Sequence, residues 1–309
     1  MRSLLIFCIL ASAAFGQLQS GPALPHRVVS DWGELPNGWN LGECSGVAVD
    51  RQDNVWVFHR GPHPILQFDR NGKMLQAWGD HTVVAAHGIS VDPDGNIWAV
   101  DVKGNVVLKF NTAGRLQMVL GRQSATGRPP TGGTNDSRDA FNEPTGVAFL
   151  PNGDFLVADG YVNSRVIKFN RDGEYLTHWG RKGTGDGEFD LVHDVTVDSS
   201  GRVYVADRTN ARVQIFDTNG KFLGKWTHLG SPFGLYYVDR EKAIYMGDGY
   251  ANRIVKVNLE GQILGVLGST GKTPGKFDAL HNIAVDSTGA IYTAEIRTWR
   301  VQKFAIPGR

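Results

Sequence analysis

From residue 27 onward, apolar and polar positions alternate in runs of about five residues, and each run is broken by Gly, Asn or Asp. Alternation with period two over that length predicts half-buried β-strands, and the breaks predict tight turns. One phrase recurs along the chain: a small residue, an alternating apolar strand, a Gly turn, and a second apolar strand. It opens six times, at Ser45-Gly46-Val47, His87-Gly88-Ile89, Thr145-Gly146-Val147, His193-Asp194-Val195, Phe233-Gly234-Leu235 and His281-Asn282-Ile283. The second position advances by 42, 58, 48, 40 and 48 residues, a spacing that suits propeller blades. Turns such as Asp94-Gly95-Asn96 and Asn152-Gly153-Asp154 read as hairpins inside each copy. A third strand follows, as in Arg165-Val166-Ile167-Lys168-Phe169, and a fourth ends in Trp78-Gly79, Leu120-Gly121, Trp179-Gly180 or Leu267-Gly268.

Four strands in six copies predict an all-β fold, a six-bladed β-propeller. The last copy stops after its third strand, Arg300-Val301-Gln302-Lys303-Phe304, and the missing fourth stands near the start, at Arg27-Val28-Val29-Ser30-Asp31-Trp32-Gly33. Pairing the two closes the ring and removes an open sheet edge. An open stack of repeats is the alternative. The segment Gln123 to Asn142, rich in Gly, Pro, Thr and Asp, reads as a rim loop, either a lid or a tolerated insertion.

Before the repeats, Arg2 and the apolar run Leu4 to Ala14, followed by Phe15-Gly16-Gln17, have the form of a secretory signal cleaved near Gln17. The run is too short for a membrane anchor, which takes roughly 20 residues. The expected organisation is therefore a signal at 1–16 and one propeller domain at 17–309, secreted or periplasmic. Removing the signal leaves 31 basic and 31 acidic groups and one thiol, Cys44. That balance argues against a nucleic-acid or anionic-lipid partner, and a lone cysteine forms no intramolecular disulfide. A monomer is expected. Many of the 39 glycines recur at the starts of first strands, in the hairpins and after the fourth strands.

Chemistry enters through position within the repeat. The start position holds Ser45, His87, Thr145, His193, Phe233 and His281, so histidine occupies blades two, four and six. Residues just before the innermost strands ring one mouth of the channel, and alternate blades lie a third of a turn apart. Three imidazoles there would converge on the axis with a coordination position open, a catalytic zinc arrangement. The other histidines, His26, His59, His63, His81, His178 and His228, show no such order. At the end of the second strand, Arg60 and Arg208 stand on opposite blades, where they would hold a carboxylate or form local salt bridges. Tyr161, beside that ring, would serve as general base if zinc and the arginines lower its pKa from about 10. Tyr250 in the matching place of blade five reads as structural, and Asp159, Asp207 and Asp248 as turn caps.

These residues carry a family resemblance. The repeat is of the NHL type. The segments Ser45-Gly46-Val47, Phe58-His59-Arg60-Gly61, His87 to Asp92, Asp159-Gly160-Tyr161-Val162-Asn163-Ser164-Arg165 and Ala206-Asp207-Arg208 resemble the peptidyl-α-hydroxyglycine α-amidating lyases, over about residues 28 to 304. The resemblance implies cleavage of a small or peptidyl α-hydroxyglycine to an amide and glyoxylate. It implies zinc on His87, His193 and His281, a proton taken by Tyr161, and the substrate carboxylate on Arg60 and Arg208. It also implies a structural calcium on the Val47 and Ile89 carbonyls and the side chain of residue 282. That residue is Asn282 where the family has Asp, which predicts weaker calcium binding or none. Ala279 replaces a family Met. Asn142, Val162, Tyr204 and Ile215 replace cysteines paired in animal members. The monooxygenase domain of fused animal enzymes is not among these 309 residues. Two other functions stay open: a non-catalytic NHL propeller that binds a protein or glycan, with a structural metal, and a metal-dependent propeller hydrolase such as a lactonase.

Overall fold

Each repeat folds as a four-stranded antiparallel sheet. In the first, Cys44–Val49, Val55–His59, Ile65–Phe68 and Met74–Trp78 pair in chain order. The computed structural model describes residues 18–122 and 134–308, so the expected signal sequence and residues 123–133 of the rim loop lie outside the described residues. Six such sheets stand in a ring, a six-bladed β-propeller. No α-helix occurs among the described residues, and no helix there is long and apolar enough to cross a membrane.

The second and third strands of each blade are almost wholly apolar because neighbouring blades cover both of their faces. Trp56, Phe58 and Ile65 of blade one pack on Ile97, Ala99 and Leu108 of blade two, and the same layering continues with Trp98, Phe155 and Phe169. Fourth-strand tryptophans lie under the next blade's last hairpin. Gly114 and Gly220, at φ +74° and +86°, put backbone against the faces of Trp78 and Trp179, where an added Cβ would meet the ring at 3.0 and 2.6 Å. Neighbouring first strands touch all round the channel, the last against the first.

Closure follows the expected route. Arg27–Val29 pairs antiparallel with Arg300–Ala305, with Val28 opposite Phe304. The chain ahead of it does more than the strand pattern suggests: Ala23 pairs with Val266 of blade five, and Leu24 is buried between blades five and six. Residues 18–29 therefore strap two blades together. Leu24→Ala is expected to lower stability by about 2–4 kcal/mol, the range for a buried leucine truncated to a cavity. A drop in the urea midpoint at unchanged slope checks it.

The acids at the ends of the second strands anchor the preceding loops. Asp159 and Arg165 form a fully buried pair at 2.9 Å, and the Arg165 guanidinium also donates to the Asn135, Ser137 and Ala140 carbonyls. Asp207 repeats this with Arg212 and the carbonyls of Thr184, Gly185 and Glu188. These pairs tie the loops that precede blades three and four to the second and third strands of those blades.

Candidate metal and substrate site

The start position of each repeat is the extra residue of a β-bulge. In blade one Cys44 faces His59 and Gly46 faces Phe58, leaving Ser45 without a partner; a one-residue slip recurs in all six blades, and in blade two Gly88 is left unpaired beside His87. A bulge re-aims the residue it frees. Here it brings the side chains of His87, His193 and His281 together at the channel mouth, all three buried. Their ring centroids form a near-equilateral triangle of 4.8, 4.7 and 4.7 Å.

Alternation of the start residue also orients the rings. Each histidine sits beside a blade whose start residue lends it a carbonyl. His87 Nδ1 meets Thr145 O at 2.7 Å, His193 Nδ1 meets Phe233 O at 2.7 Å, and His281 Nδ1 meets Ser45 O at 2.6 Å. A carbonyl only accepts, so each Nδ1 carries the proton and each Nε2 keeps a lone pair for the centre. One ligand atom from each ring lies within 4.8 Å of the others. Burial pushes the His281 imidazole down to about 4, and burial together with the neighbouring His281 holds His87 and His193 well below the usual range. Neutral, inward-facing imidazoles are the ligand state of histidine, so this cluster fits a metal ion. Gly88 is part of the arrangement: an added Cβ would stand 2.4 Å from Thr145 O, the acceptor for His87.

Tyr161 closes over the triangle. Its hydroxyl is 3.3 Å from both His87 Nε2 and His193 Nε2, and Arg208 Nη1 donates to it at 3.4 Å. The Arg208 guanidinium lies 4.7 Å from the Phe233 ring centroid, 5.3 Å from that of Tyr161 and 6.0 Å from that of Tyr250. Its buried Nε has no hydrogen-bond partner among the described residues. This is a cation held on aromatic faces with donors left over, as an anion receptor needs.

Arg60 is placed differently. Its Nε donates to Ala86 O at 3.0 Å, and its Nη1 is bound to the Glu43 carboxylate at 2.6 Å. The two arginines expected to act alike are therefore unequal: one is open and the other is paired. Tyr250 departs from its structural reading. It is 64 % exposed, edge-on to Phe233 at 5.1 Å, and belongs to the wall beside Arg208. Phe233 is the further residue that sequence reasoning left out. Its only signal was an aromatic at a position otherwise small or histidine.

Val47, Ile89 and Asn282 line the channel beneath the triangle, around a cavity of about 240 Å³. Asn282 Oδ1 already accepts the Val47 N–H at 3.1 Å. Asp194, the matching residue of blade four, accepts N–H groups from Leu235 and Val195 at 2.9 Å each, and burial pushes its carboxyl up to about 7. The channel's carboxylate thus lies after the second histidine, whereas the family pattern puts it after the third.

Comparison with known proteins follows the repeats. The NHL repeat model matches residues 141–169 and 189–216. The chain is 33 % identical over 297 residues to human NHL repeat-containing protein 3, covering 90 % of this chain and 84 % of that one. It is 30 % identical over 321 residues to Xenopus laevis peptidyl-glycine alpha-amidating monooxygenase A, covering 89 % of this chain and 33 % of that one. It is 29 % identical over 315 residues to Drosophila melanogaster peptidyl-alpha-hydroxyglycine alpha-amidating lyase 1, covering 90 % and 46 %. The chain thus spans a third to a half of the length of these two amidating proteins.

Proposed function

This chain belongs to the NHL-repeat family, and from that footing we propose that it is a zinc-dependent carbon–nitrogen lyase acting on peptidyl-α-hydroxyglycine-type substrates. The observation that carries the reading is the Tyr161 hydroxyl, 3.3 Å from two inward-facing imidazole nitrogens and bonded by Arg208. His87, His193 and His281 would hold the zinc, which when bound supplies Lewis-acid polarisation of the substrate hydroxyl. Arg208 receives the substrate carboxylate, with Arg60 facing it from blade one. Acting as a phenolate, whose charge the Arg208 N–H offsets, the Tyr161 oxygen takes the hydroxyl proton and becomes a neutral phenol. As the hydroxyl oxygen becomes the aldehyde of glyoxylate, the C–N bond breaks. The same proton goes to the leaving nitrogen and completes the amide, so no water is consumed.

No step is assigned to calcium. An ion on the Val47 and Ile89 carbonyls would have to share Asn282 Oδ1 with the Val47 amide. Export of a monomeric propeller, residues 17–309, after cleavage near Gln17 belongs to the same proposal.

Purified protein loaded with zinc is expected to bind one ion per chain and to release glyoxylate from α-hydroxyhippurate. Absence of glyoxylate ends the lyase reading. The Glu43 pair adds a finer expectation. Glu43→Gln frees Arg60 Nη1 and removes a competing carboxylate, so KM for α-hydroxyhippurate falls by about three- to fivefold, the scale of a part-exposed ion pair. A KM that rises instead means that Glu43 holds Arg60 in its working position.

The similarity to human NHL repeat-containing protein 3, which this chain covers over 84 % of that protein's length, favours a second reading: a propeller that binds a protein or glycan, with the histidines around a structural metal. That reading expects the Arg60→Ala, Tyr161→Phe double variant to bind its partner unchanged.

A further inference from the structure

A substrate bound at the triangle must extend its remaining chain away from the axis, because the three rings and Tyr161 close the mouth. Around the rim, blade three presents Tyr161, blade four Arg208, and blade five the Phe233–Tyr250 pair. The rim opens between blades one and two, in a cleft of about 270 Å³. This cleft shares Arg60 and Ala86 with the site, the two residues joined by the Arg60 Nε–Ala86 O bond directly before His87. Beyond them it is lined by Pro62, Pro64, Val84 and Asp80, together with the imidazoles of His59 and His81.

The lining has a definite chemistry. Val84 is 62 % exposed, an apolar side chain without an apolar partner on its open face. Neither proline has an N–H to offer to a polar group of a ligand. Arg60 and Asp80 are already engaged, Arg60 with Glu43 and Asp80 with His63, which gives Asp80 both its backbone N–H and its ring nitrogen at 2.8 and 2.6 Å. An apolar side chain gains by covering Val84 and Pro62, whereas a carboxylate there faces the Asp80 carboxylate.

We propose that the cleft between blades one and two is the subsite for the residue preceding the cleaved hydroxyglycine, and that it selects peptides with an apolar or aromatic residue at that place. This rests on the lyase reading and names its substrate class. The occupant follows from continuity: the cleft begins at Arg60, so a chain whose carboxylate lies between the arginines has its preceding residue within reach of Val84.

The test compares kcat/KM for glyoxylate release from N-acetyl-Phe-α-hydroxyglycine, N-acetyl-Asp-α-hydroxyglycine and N-acetyl-α-hydroxyglycine, which lacks the preceding side chain. The expected order in the unaltered protein is Phe above Asp by at least about tenfold, the scale of a modest apolar pocket. Val84→Asp lowers the Phe substrate about tenfold and leaves N-acetyl-α-hydroxyglycine within twofold; its exposure makes the exchange compatible with folding. Asp80→Asn raises the Asp substrate and leaves the Phe substrate unchanged. Glyoxylate from all three with ratios unmoved by both variants overturns the subsite alone. Absence of glyoxylate from every substrate overturns the lyase reading and the subsite with it.

Discussion

His193→Ala is expected to abolish both metal binding and turnover. The substitution removes one of three Nε2 donors, leaving a two-histidine site in a pocket with no carboxylate to take its place among the described clustered groups. It also leaves Phe233 O without its donor and the Tyr161 hydroxyl without one of its two neighbours. Loss of an outer partner alone typically costs ten- to a hundredfold in affinity or activity, and loss of a ligand exceeds that. Bound zinc is expected to fall from one per chain to below a tenth at micromolar protein, and glyoxylate release by more than about a hundredfold. His178→Ala is the control, since that ring sits on the fourth strand of blade three against Tyr175; metal and rate stay as they were. If His193→Ala keeps its zinc, the triangle is not the metal site, and if it keeps its rate, zinc is not needed for the chemistry.

The triangle was readable because it depends on repeat order alone. Three histidines at one repeat position, two blades apart, meet wherever the ring closes, and closure was itself written in the displaced fourth strand at Arg27–Val29. The bulge that re-aims them leaves no mark in the alternation, yet it acts alike on all six blades and so does not disturb the argument. Tautomer control was half legible. The non-histidine start residues Ser45, Thr145 and Phe233 looked like absences, and they are the carbonyl partners that set each Nδ1 proton.

Loop-borne contacts were less legible. Arg60 and Arg208 occupy equivalent positions, but the repeat pattern does not say which partner each long side chain meets. Glu43 precedes the first strand of Arg60's own blade, and Phe233 belongs to the blade after Arg208. Which charge a long side chain meets depends on rim conformation, and the alternation of apolar positions carries no information about it. Tyr250 failed for a related reason. Its position matches Tyr161, but the blade-five rim turns its ring outward against Phe233, so it shapes the wall while Tyr161 reaches the histidines.

Tyr161→Phe separates the metal from the proton. The phenol ring is kept, so the stack with Arg208 at 5.3 Å has no reason to move, and the three Nε2 atoms keep their lone pairs. What disappears is one oxygen, the atom 3.3 Å from His87 and His193 that also accepts the Arg208 N–H. Zinc is expected to remain at one per chain. Arg208 and Arg60 are untouched, so KM for α-hydroxyhippurate is expected to shift by less than about threefold while kcat falls by about 10²- to 10⁴-fold, the range for a lost general base. A parallel loss of kcat and kcat/KM marks an interaction made only in the transition state. A rise in KM at unchanged kcat would reassign Tyr161 to substrate binding, and retained activity in both would leave the proton to another group. Taken with His193→Ala, the two variants divide the site into a metal-holding part, where occupancy and rate fail together, and a proton-moving part, where rate fails alone. A structural metal in a partner-binding propeller predicts no such division, because neither variant would have a rate to lose.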